Sequence, residues 1–225
     1  MKKIILIFFG FSVFSYAQDL KKETEKKQFP AEVQSQNLKE ILEIKKFQKE
    51  LNEEYKNEKE SPLRGDNFKK FKEHPFFAIN LDYCVKAKLV KTENATPFEL
   101  PTSSGKTKKY QEFGKVYFNI NGKEQVLTVF QSLSLLENPE YKDYLFLPFK
   151  DATSGTETYG GGRYLDLRIP KNDEIIIDFN KAYHPYCAYN AFDYNCPIVP
   201  EENWLKIPIE AGVKYEDIWF EHEKR

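Results

Sequence analysis

The hydrophobic positions follow a helical period in one segment and strict alternation in most of the rest of the chain. Between residues 35 and 60, apolar side chains recur every three or four positions. The recurring residues are Leu38, Ile41, Leu42, Phe47, Leu51 and Tyr55. That spacing predicts one amphipathic α-helix, which Pro62 and Gly65 would end.

From residue 76 onward, apolar and polar residues alternate in several short runs. Asn121-Gly122 separates the two clearest runs, and this dipeptide strongly favours a β-hairpin. The intervals between runs are too short for helical crossovers, which is typical of antiparallel sheets. The sequence therefore predicts a mainly β fold: an antiparallel β-sandwich or barrel-like sheet, preceded by one N-terminal amphipathic α-helix.

The N-terminal residues have the pattern of a secretory signal peptide. Two lysines precede an apolar run at residues 4–14, and Ser15 and Ala17 offer small side chains at the two positions that matter for cleavage. The apolar run is shorter than the roughly 20 residues that a membrane-spanning helix needs. We therefore expect an exported protein, periplasmic or extracellular, with no transmembrane segment after signal cleavage.

The predicted domain organisation has four parts. Residues 1–17 form the signal peptide, and residues 18–34, which are charged and poor in apolar side chains, form a flexible tether. Residues 35–60 form the amphipathic helix, and residues 61–225 form the β-rich domain. The helix would cover the core of that domain, and docking a partner along residues 36–59 is the alternative.

Composition narrows the classes of function. The chain is 40% hydrophobic and 16% aromatic, with 19 Phe and 14 Tyr, which favours half-buried sheet surfaces. The formal net charge is only -1. Because no strongly basic field is present, we expect no nucleic acid among the partners.

A glycine-rich stretch at residues 153–167, TSGTETYGGGRYLDL, could in principle cradle a phosphate. Phosphate-binding glycine loops open a helix, whereas the alternation after Gly162 predicts a strand, so the stretch indicates a long turn. The turn nevertheless gathers hydrogen-bond donors and an arginine that suit an anionic ligand. Its candidate ligand-binding residues are Asp151, Thr153, Ser154, Tyr159 and Arg163.

Three further candidate ligand-binding residues follow the next predicted strand. Asp178 and Asn180 stand at its end, where such residues commonly bond their own backbone. Tyr183 would form an aromatic wall together with Tyr159.

The cysteines allow several chemistries. In an exported protein, Cys187 and Cys196 favour a disulfide that closes a short loop. The alternatives are reduced structural thiols, a metal site with His184 and Cys84, and a nucleophilic Cys187 with His184 as its base. The spacings match no common zinc signature, so we expect the disulfide, no metal and no cofactor.

No complete catalytic motif is present in the sequence. A hydrolase would use Asp178 or Asp151 as general acid or base, with Arg163 polarising the substrate. Asp166 and Asp178 could also face one another across neighbouring strands, as glycosidase chemistry requires.

Two long segments carry a family resemblance: FKDATSGTETYGGGRYLDL and IIIDFNKAYHPYCAYNAFDYNCPIVPEENWLKIPIEAG. They resemble the bacterial domain of unknown function 1684 family, and upstream segments resemble its Bacteroidetes members. The resemblance covers residues 36–214. The family pattern falls on Asp151, Thr153, Gly155, Tyr159, Arg163, Asp178, Phe179, Asn180, Cys187, Cys196, Pro197 and Asn203.

The resemblance implies where a site lies without naming its chemistry, since the family has no assigned activity. His184 departs from the residue expected in relatives, which weakens a metal or catalytic role for it. The resemblance also implies relatives without export signals.

Together these observations predict an exported cell-envelope protein of unknown biochemical activity, a ligand-binding or structural β domain. The expected partner is a small anionic or envelope-derived ligand that Arg163 contacts. The alternative is an envelope hydrolase that uses the Asp and Arg residues near the glycine loop.

Overall fold

The structure, a computed structural model, describes residues 31–216. The predicted signal peptide at 1–17 lies outside the described residues, as does the tether up to residue 30. The chain divides into two compact units, and the second unit begins at Glu40. The contacts discussed below join described residues of this second unit. Within residues 31–216, none of the helices combines the length and the apolar character that a bilayer crossing requires.

Helix α1 spans Ala31–Lys56, so it begins and ends earlier than predicted. Its buried positions include Ile44, Leu51 and Tyr55, which lie on one side of a 3.6-residue period. Leu38 and Leu42 were expected on this side, and that expectation is wrong because they are 58% and 56% exposed. Leu42 precedes Leu51 by about two and a half turns, so the two side chains point in opposite directions.

The buried side of α1 packs on an aromatic cluster of its own domain. Leu51 and Tyr55 contact a group that includes Phe71 and Tyr189. The Tyr55 ring lies 5.1 Å from the Tyr189 ring and 4.3 Å from the His74 ring. The domain itself therefore covers the C-terminal part of the apolar stripe, at Leu51 and Tyr55, while Leu38 and Leu42 stay exposed.

Seven antiparallel strands form the sheet. They are β1 (Cys84–Lys91), β2 (Phe98–Pro101), β3 (Thr107–Ile120), β4 (Lys123–Ser132), β5 (Tyr144–Phe149), β6 (Arg163–Arg168) and β7 (Glu174–Asp178). The remaining α-helices of the described chain are short, α2 (Gly65–Lys70) and α3 (Leu133–Leu136). The strand order is β6-β5-β4-β3-β1-β7, and β2 pairs with β3.

The predicted mainly β, antiparallel fold with an N-terminal helix is confirmed. The sheet is a curled half-barrel, which corresponds to the barrel-like alternative rather than to two packed sheets. The curl brings the segment after β7 back to β6, where Tyr164 and Tyr183 exchange backbone hydrogen bonds of 2.8 and 3.1 Å. The chain after β7 thus borders the free edge of β6.

The hairpin between β3 and β4 turns at the predicted dipeptide. Ile120 pairs with Lys123, and the two residues between them have positive φ, 52° at Asn121 and 76° at Gly122. A two-residue turn with positive φ at both positions matches the right-handed twist of the flanking strands.

The inner face of the half-barrel is a packed core. Alternate side chains of six strands lie there, as do residues of the segment 205–211. In β3, for example, buried Val116, Phe118 and Ile120 alternate with exposed residues. The interior is therefore filled by side chains, as in small barrels.

The side chain of Asn203 connects β4 and β5 beyond the point where the two strands stop pairing. β4 and β5 pair only at Phe130 and Phe146. Beyond this pair, the Asn203 amide donates to the carbonyls of Thr128 and Pro148 at 2.8 and 2.7 Å. Its oxygen accepts from the Thr128 N–H at 2.7 Å. The side chain thereby satisfies buried backbone groups on both strands.

Candidate functional site

The glycine-rich stretch forms the loop between β5 and β6. Gly162 has φ +96° just before β6 begins. A Cβ placed there would lie 2.6 Å from the Phe149 carbonyl oxygen and 2.6 Å from Val199 Cγ2. Glycine is required at this position by its positive φ and by the close approach of Phe149 and Val199.

Asp151 and Arg163 form a fully buried ion pair at the base of this loop. Arg163 Nη2 donates to Asp151 Oδ2 at 2.5 Å, and both side chains are 0% exposed. The guanidinium also donates to the carbonyls of Ile209, at 2.8 Å, and Ala211. It lies over the Phe149 ring, 5.1 Å from the centroid. The pair thus connects the glycine loop to the segment that closes the core.

Thr153 and Ser154 belong to the same hydrogen-bonded turn. The second oxygen of Asp151, Oδ1, accepts from the Thr153 N–H at 2.6 Å and from its hydroxyl at 2.5 Å. Ser154 Oγ accepts from the Asp151 N–H at 3.2 Å. The hydroxyls of Thr153 and Thr158 lie 3.0 Å apart. The predicted donors are present, but they bond to one another.

Tyr159 connects the loop to a buried row of hydrogen-bonded side chains that contains two histidines. Its backbone N–H donates to His184 Nε2 at 3.2 Å, which leaves the ring proton on Nδ1. His184 Nδ1 lies 3.0 Å from the Tyr189 hydroxyl, which lies 3.3 Å from His74 Nδ1. Burial lowers the pKa of His74 to about 3 and holds the pKa of His184 well below its usual value, so both rings are neutral.

Asp178 and Asn180 hold the turn that follows β7. Asp178 Oδ1 accepts from the N–H and the amide of Asn180 at 3.1 and 2.9 Å. Asn180 also pairs with the backbone of Asn80, donating to its carbonyl at 2.9 Å and accepting from its N–H at 3.0 Å. Asp178 does not face Asp166 across paired strands, because β7 pairs with β1 and β6 with β5.

Cys187 and Cys196 form the expected disulfide, with their Sγ atoms 2.13 Å apart. The bond closes the loop that follows the buried His184. Cys84 is a free, half-buried thiol, and burial raises its pKa to about 11. The described chain contains no group of three or more metal-ligating side chains.

The polar groups of most predicted site residues are therefore bonded to other groups of the protein itself. The anion contact expected of Arg163 stays a prediction, and the guanidinium is fully buried and bonded to internal acceptors. Tyr183 differs from the other candidates, because its hydroxyl donates to an exposed carboxylate.

The surface group that Tyr183 contacts is Asp166 on β6. The hydroxyls of Tyr183 and Tyr144 donate to the same carboxylate oxygen, Asp166 Oδ1, at 2.8 and 2.7 Å. Asp166 is exposed, and its other oxygen accepts no hydrogen bond from any residue described in the structure. Burial and the charge of Asp166 raise the pKa of both tyrosines, so the hydroxyls remain protonated donors.

Aromatic rings form the surroundings of Asp166 on the outer face of the sheet. Phe146 pairs with Asp166 across β5 and β6. The Tyr164 ring lies 4.7 Å from the Phe146 ring and 6.1 Å from the Tyr183 ring. Arg168, two residues further along β6, pairs with Asp143 at 2.7 Å, and its guanidinium lies 5.9 Å from the centroid of the Tyr144 ring. The exposed carboxylate thus borders a largely buried aromatic cluster and has no ion-pair partner among the described residues.

The sequence did not identify Tyr144 or the surface role of Asp166. Alternation in YLFLPF and RYLDLR places both on the outer face of their strands, which is the available signal. The contact between them depends on the β5–β6 register, in which Tyr144 pairs with Arg168 and Phe146 with Asp166. Tyr183 joins them only through its bridge to Tyr164.

The chain is similar to a solved structure of another uncharacterized protein, from Haloarcula marismortui, determined by solution NMR. The two share 29% identity with a TM-score of 0.63, over 80% of this chain and 97% of that chain. No curated protein matches the chain.

The profile of a family described as "Protein of unknown function (DUF1684)" matches residues 69–214. This range contains all seven strands of the half-barrel and the Asp151–Arg163 pair. Because the match extends over more than half of the sequence, the chain belongs to the DUF1684 family.

Proposed function

We propose that this chain is an exported domain of the cell envelope that binds a ligand on the outer aromatic face of its half-barrel. The observation that carries the proposal is the position of Asp166, whose carboxylate is held at the surface by two tyrosine hydroxyls. Ligand sites commonly combine aromatic side chains with a few precisely placed polar groups.

The arrangement of the other polar residues supports binding over catalysis. A hydrolase would need an acid free to exchange protons with a substrate. Asp151 is buried and ion-paired with Arg163, and Asp178 accepts hydrogen bonds within its own turn. These acids stabilise the scaffold that presents the outer face.

Export is supported by the signal-like pattern at residues 1–17 and by the disulfide, since disulfides persist in oxidising compartments. Intact mass spectrometry of the cell-derived protein tests it, with and without reductant. We expect a mass that corresponds to cleavage after Ala17 and one intact disulfide. A full-length chain with reduced thiols in the cytoplasmic fraction would contradict export.

The ligand face is tested by NMR titration of isotope-labelled protein with soluble fragments from a cell-envelope digest. We expect shifts of backbone resonances around Tyr144, Asp166 and Tyr183. Shifts confined to the glycine loop at 151–162, or chemical conversion of the fragments, would overturn the proposed function.

A further inference from the structure

We infer that the disulfide between Cys187 and Cys196 is a clasp that small thiols open and close while the sheet stays folded. The attacking thiolate bonds to Cys196, and Cys187 leaves as a thiolate that the Ser103 hydroxyl stabilises. This inference concerns another part of the molecule and does not depend on the ligand face around Asp166.

The two halves of the disulfide differ in burial. Cys187 is only 2% exposed and lies in the short helical turn Tyr186–Ala188. Cys196 is partly exposed and lies in the segment that leads to Pro197. Thiol–disulfide exchange requires a thiolate to reach one of the two sulfurs, so access directs the attack to Cys196.

Each sulfur of the disulfide accepts a hydrogen bond. Cys196 Sγ accepts from the Cys187 N–H at 3.2 Å, and Cys187 Sγ accepts from the Ser103 hydroxyl at 3.2 Å. Ser103 lies in the turn between β2 and β3, and its oxygen also accepts from the Cys196 N–H at 3.2 Å. A neutral sulfur is a weak acceptor, whereas a thiolate is charged, so the bond from Ser103 strengthens when Cys187 leaves.

The chemistry consists of two successive exchanges. In the first, the thiolate of a small thiol such as glutathione forms an S–S bond with Cys196 Sγ. The bond between the two cysteines breaks, and its electron pair goes to Cys187 Sγ. In the second, another thiolate attacks the small thiol's sulfur in this mixed disulfide, and Cys196 leaves as a thiolate. The chain gains two electrons while two small thiols become one disulfide, and the reverse route closes the clasp.

The disulfide joins two segments that contact different parts of the domain. Beside Cys187, the Tyr186 hydroxyl donates to Glu54 on α1. At Cys196, the carbonyl accepts from the Ser103 N–H at 2.9 Å, in the turn that follows β2. Opening the bond therefore uncouples the segment on α1 from the segment on the β2–β3 turn.

Other contacts keep the opened form folded. The Asn190 amide donates to the Pro62 carbonyl at 3.0 Å, and Asp193 forms an ion pair with Arg64 at 3.5 Å. The core on the inner face of the half-barrel contains neither cysteine. The cysteines are nine positions apart, and a loop this short restrains the unfolded chain less than a long one does.

The test incubates the full chain with glutathione under native conditions, blocks free thiols with iodoacetamide and maps the cysteines by peptide mass spectrometry. We expect an intermediate with glutathione on Cys196 and the alkyl group on Cys187, and the peptide with Cys84 reports separately on the third cysteine. Hydrogen exchange of the opened form should accelerate at residues 186–198 and 102–106, while β3 and β4 stay protected.

Variants of the β2–β3 turn test the role of the hydroxyl. We expect Ser103→Ala to lower the equilibrium constant for opening by glutathione about tenfold or more, as for the loss of a hydrogen bond to a charged group. Ser103→Thr keeps a hydroxyl and should restore most of the opening. The matched control is Ser104→Ala, which should leave the constant unchanged, because the Ser104 hydroxyl bonds to Asn195 Oδ1 at 2.8 Å instead of to a sulfur.

Four outcomes would overturn the inference. Opening by glutathione only in denaturant would show a structural bond beyond the reach of thiols, and glutathione on Cys187 would refute the direction of attack. Equal constants for the two alanine variants would refute the role of Ser103. Loss of protection throughout β3 and β4 on opening would show that the bond maintains the whole fold. Each of these results would leave the proposed ligand face around Asp166 untouched.

Discussion

At the scale of single residues, the side chains that carry the family resemblance mostly stabilise the scaffold. Asp151 and Arg163 form a buried ion pair. Asn180 hydrogen-bonds to the backbone of Asn80, and Asn203 hydrogen-bonds to the backbone of β4 and β5. Each is a buried polar group with specific internal partners, which a family can share for stability alone. The exposed Asp166, in contrast, has no structural role beyond its tyrosine contacts.

The first prediction concerns the buried ion pair. Asp151→Asn should destabilise the fold by about 3 kcal/mol or more, because it leaves the charge of Arg163 buried without a counter-charge. Urea denaturation followed by circular dichroism measures the change. Glu174→Gln breaks the exposed pair with Lys86 and serves as the control, with an expected cost under about 1 kcal/mol. Similar costs for both variants would contradict the scaffold role.

The second prediction concerns Gly162. Gly162→Ala combines a strained φ with clashes against Phe149 and Val199, whereas Gly105→Ala has a similar φ of +76° and open space. We expect a cost of about 1 kcal/mol at Gly105, from backbone strain alone. At Gly162 the cost should be several-fold larger, since neighbouring atoms must shift. Equal losses in thermal unfolding would show that the close approach is not rigid.

At the scale of elements, Asn203 substitutes for strand pairing between β4 and β5. Asn203→Ala removes partners of three buried backbone groups, on Thr128 and Pro148. We expect a loss of about 2–4 kcal/mol, because unsatisfied buried groups are costly. Hydrogen exchange should also accelerate at Thr128. Asn119→Ala, on the exposed side of β3, is the control and should change stability by less than about 0.5 kcal/mol.

The sequence predicted the elements that depend on local pattern. The β3–β4 hairpin follows from Asn121-Gly122, because the turn conformation is encoded in the dipeptide itself. The helix was predicted correctly, but its buried face was predicted partly wrongly. Leu42 was expected on the buried face, whereas it is exposed and lies away from the side that Ile44 and Leu51 share. Apolar content alone did not separate the buried Ile44 from the exposed Leu42.

The proposed ligand face around Asp166 could not be predicted in the same way. Asp166 meets Tyr144 through the strand register and Tyr183 through the curl of the sheet. These contacts depend on non-local pairing, which alternation does not specify. The glycine loop resembles a site in the sequence because its donors are adjacent along the chain, yet in the fold they bond to one another.

At the scale of the whole molecule, two buried histidines make stability depend on pH. Burial lowers the pKa of His74 from 6.5 to about 3 and lowers the pKa of His184 as well. Below about pH 6.5 the unfolded chain takes up protons that the folded chain does not bind. Stability should therefore be complete above pH 6.5 and fall towards pH 3, by about 1.4 kcal/mol per pH unit for each histidine.

Urea denaturation at several pH values between 4 and 8 measures this dependence, and histidine ring NMR identifies its source. We expect the ring resonances of His74 and His184 not to titrate between pH 8 and 4.5. A titration of either ring near pH 6.5 would show that it is accessible in the folded state, contrary to the buried chain through Tyr189.

The central claim is that the proposed ligand recognition belongs to the outer face around Asp166 and not to the glycine loop. Carbon NMR of the side-chain carboxyl groups during a titration with soluble envelope fragments tests it most directly. We expect the Asp166 resonance to shift while the resonance of the buried Asp151 stays fixed. A shift of Asp151, with Asp166 unchanged, would contradict the claim.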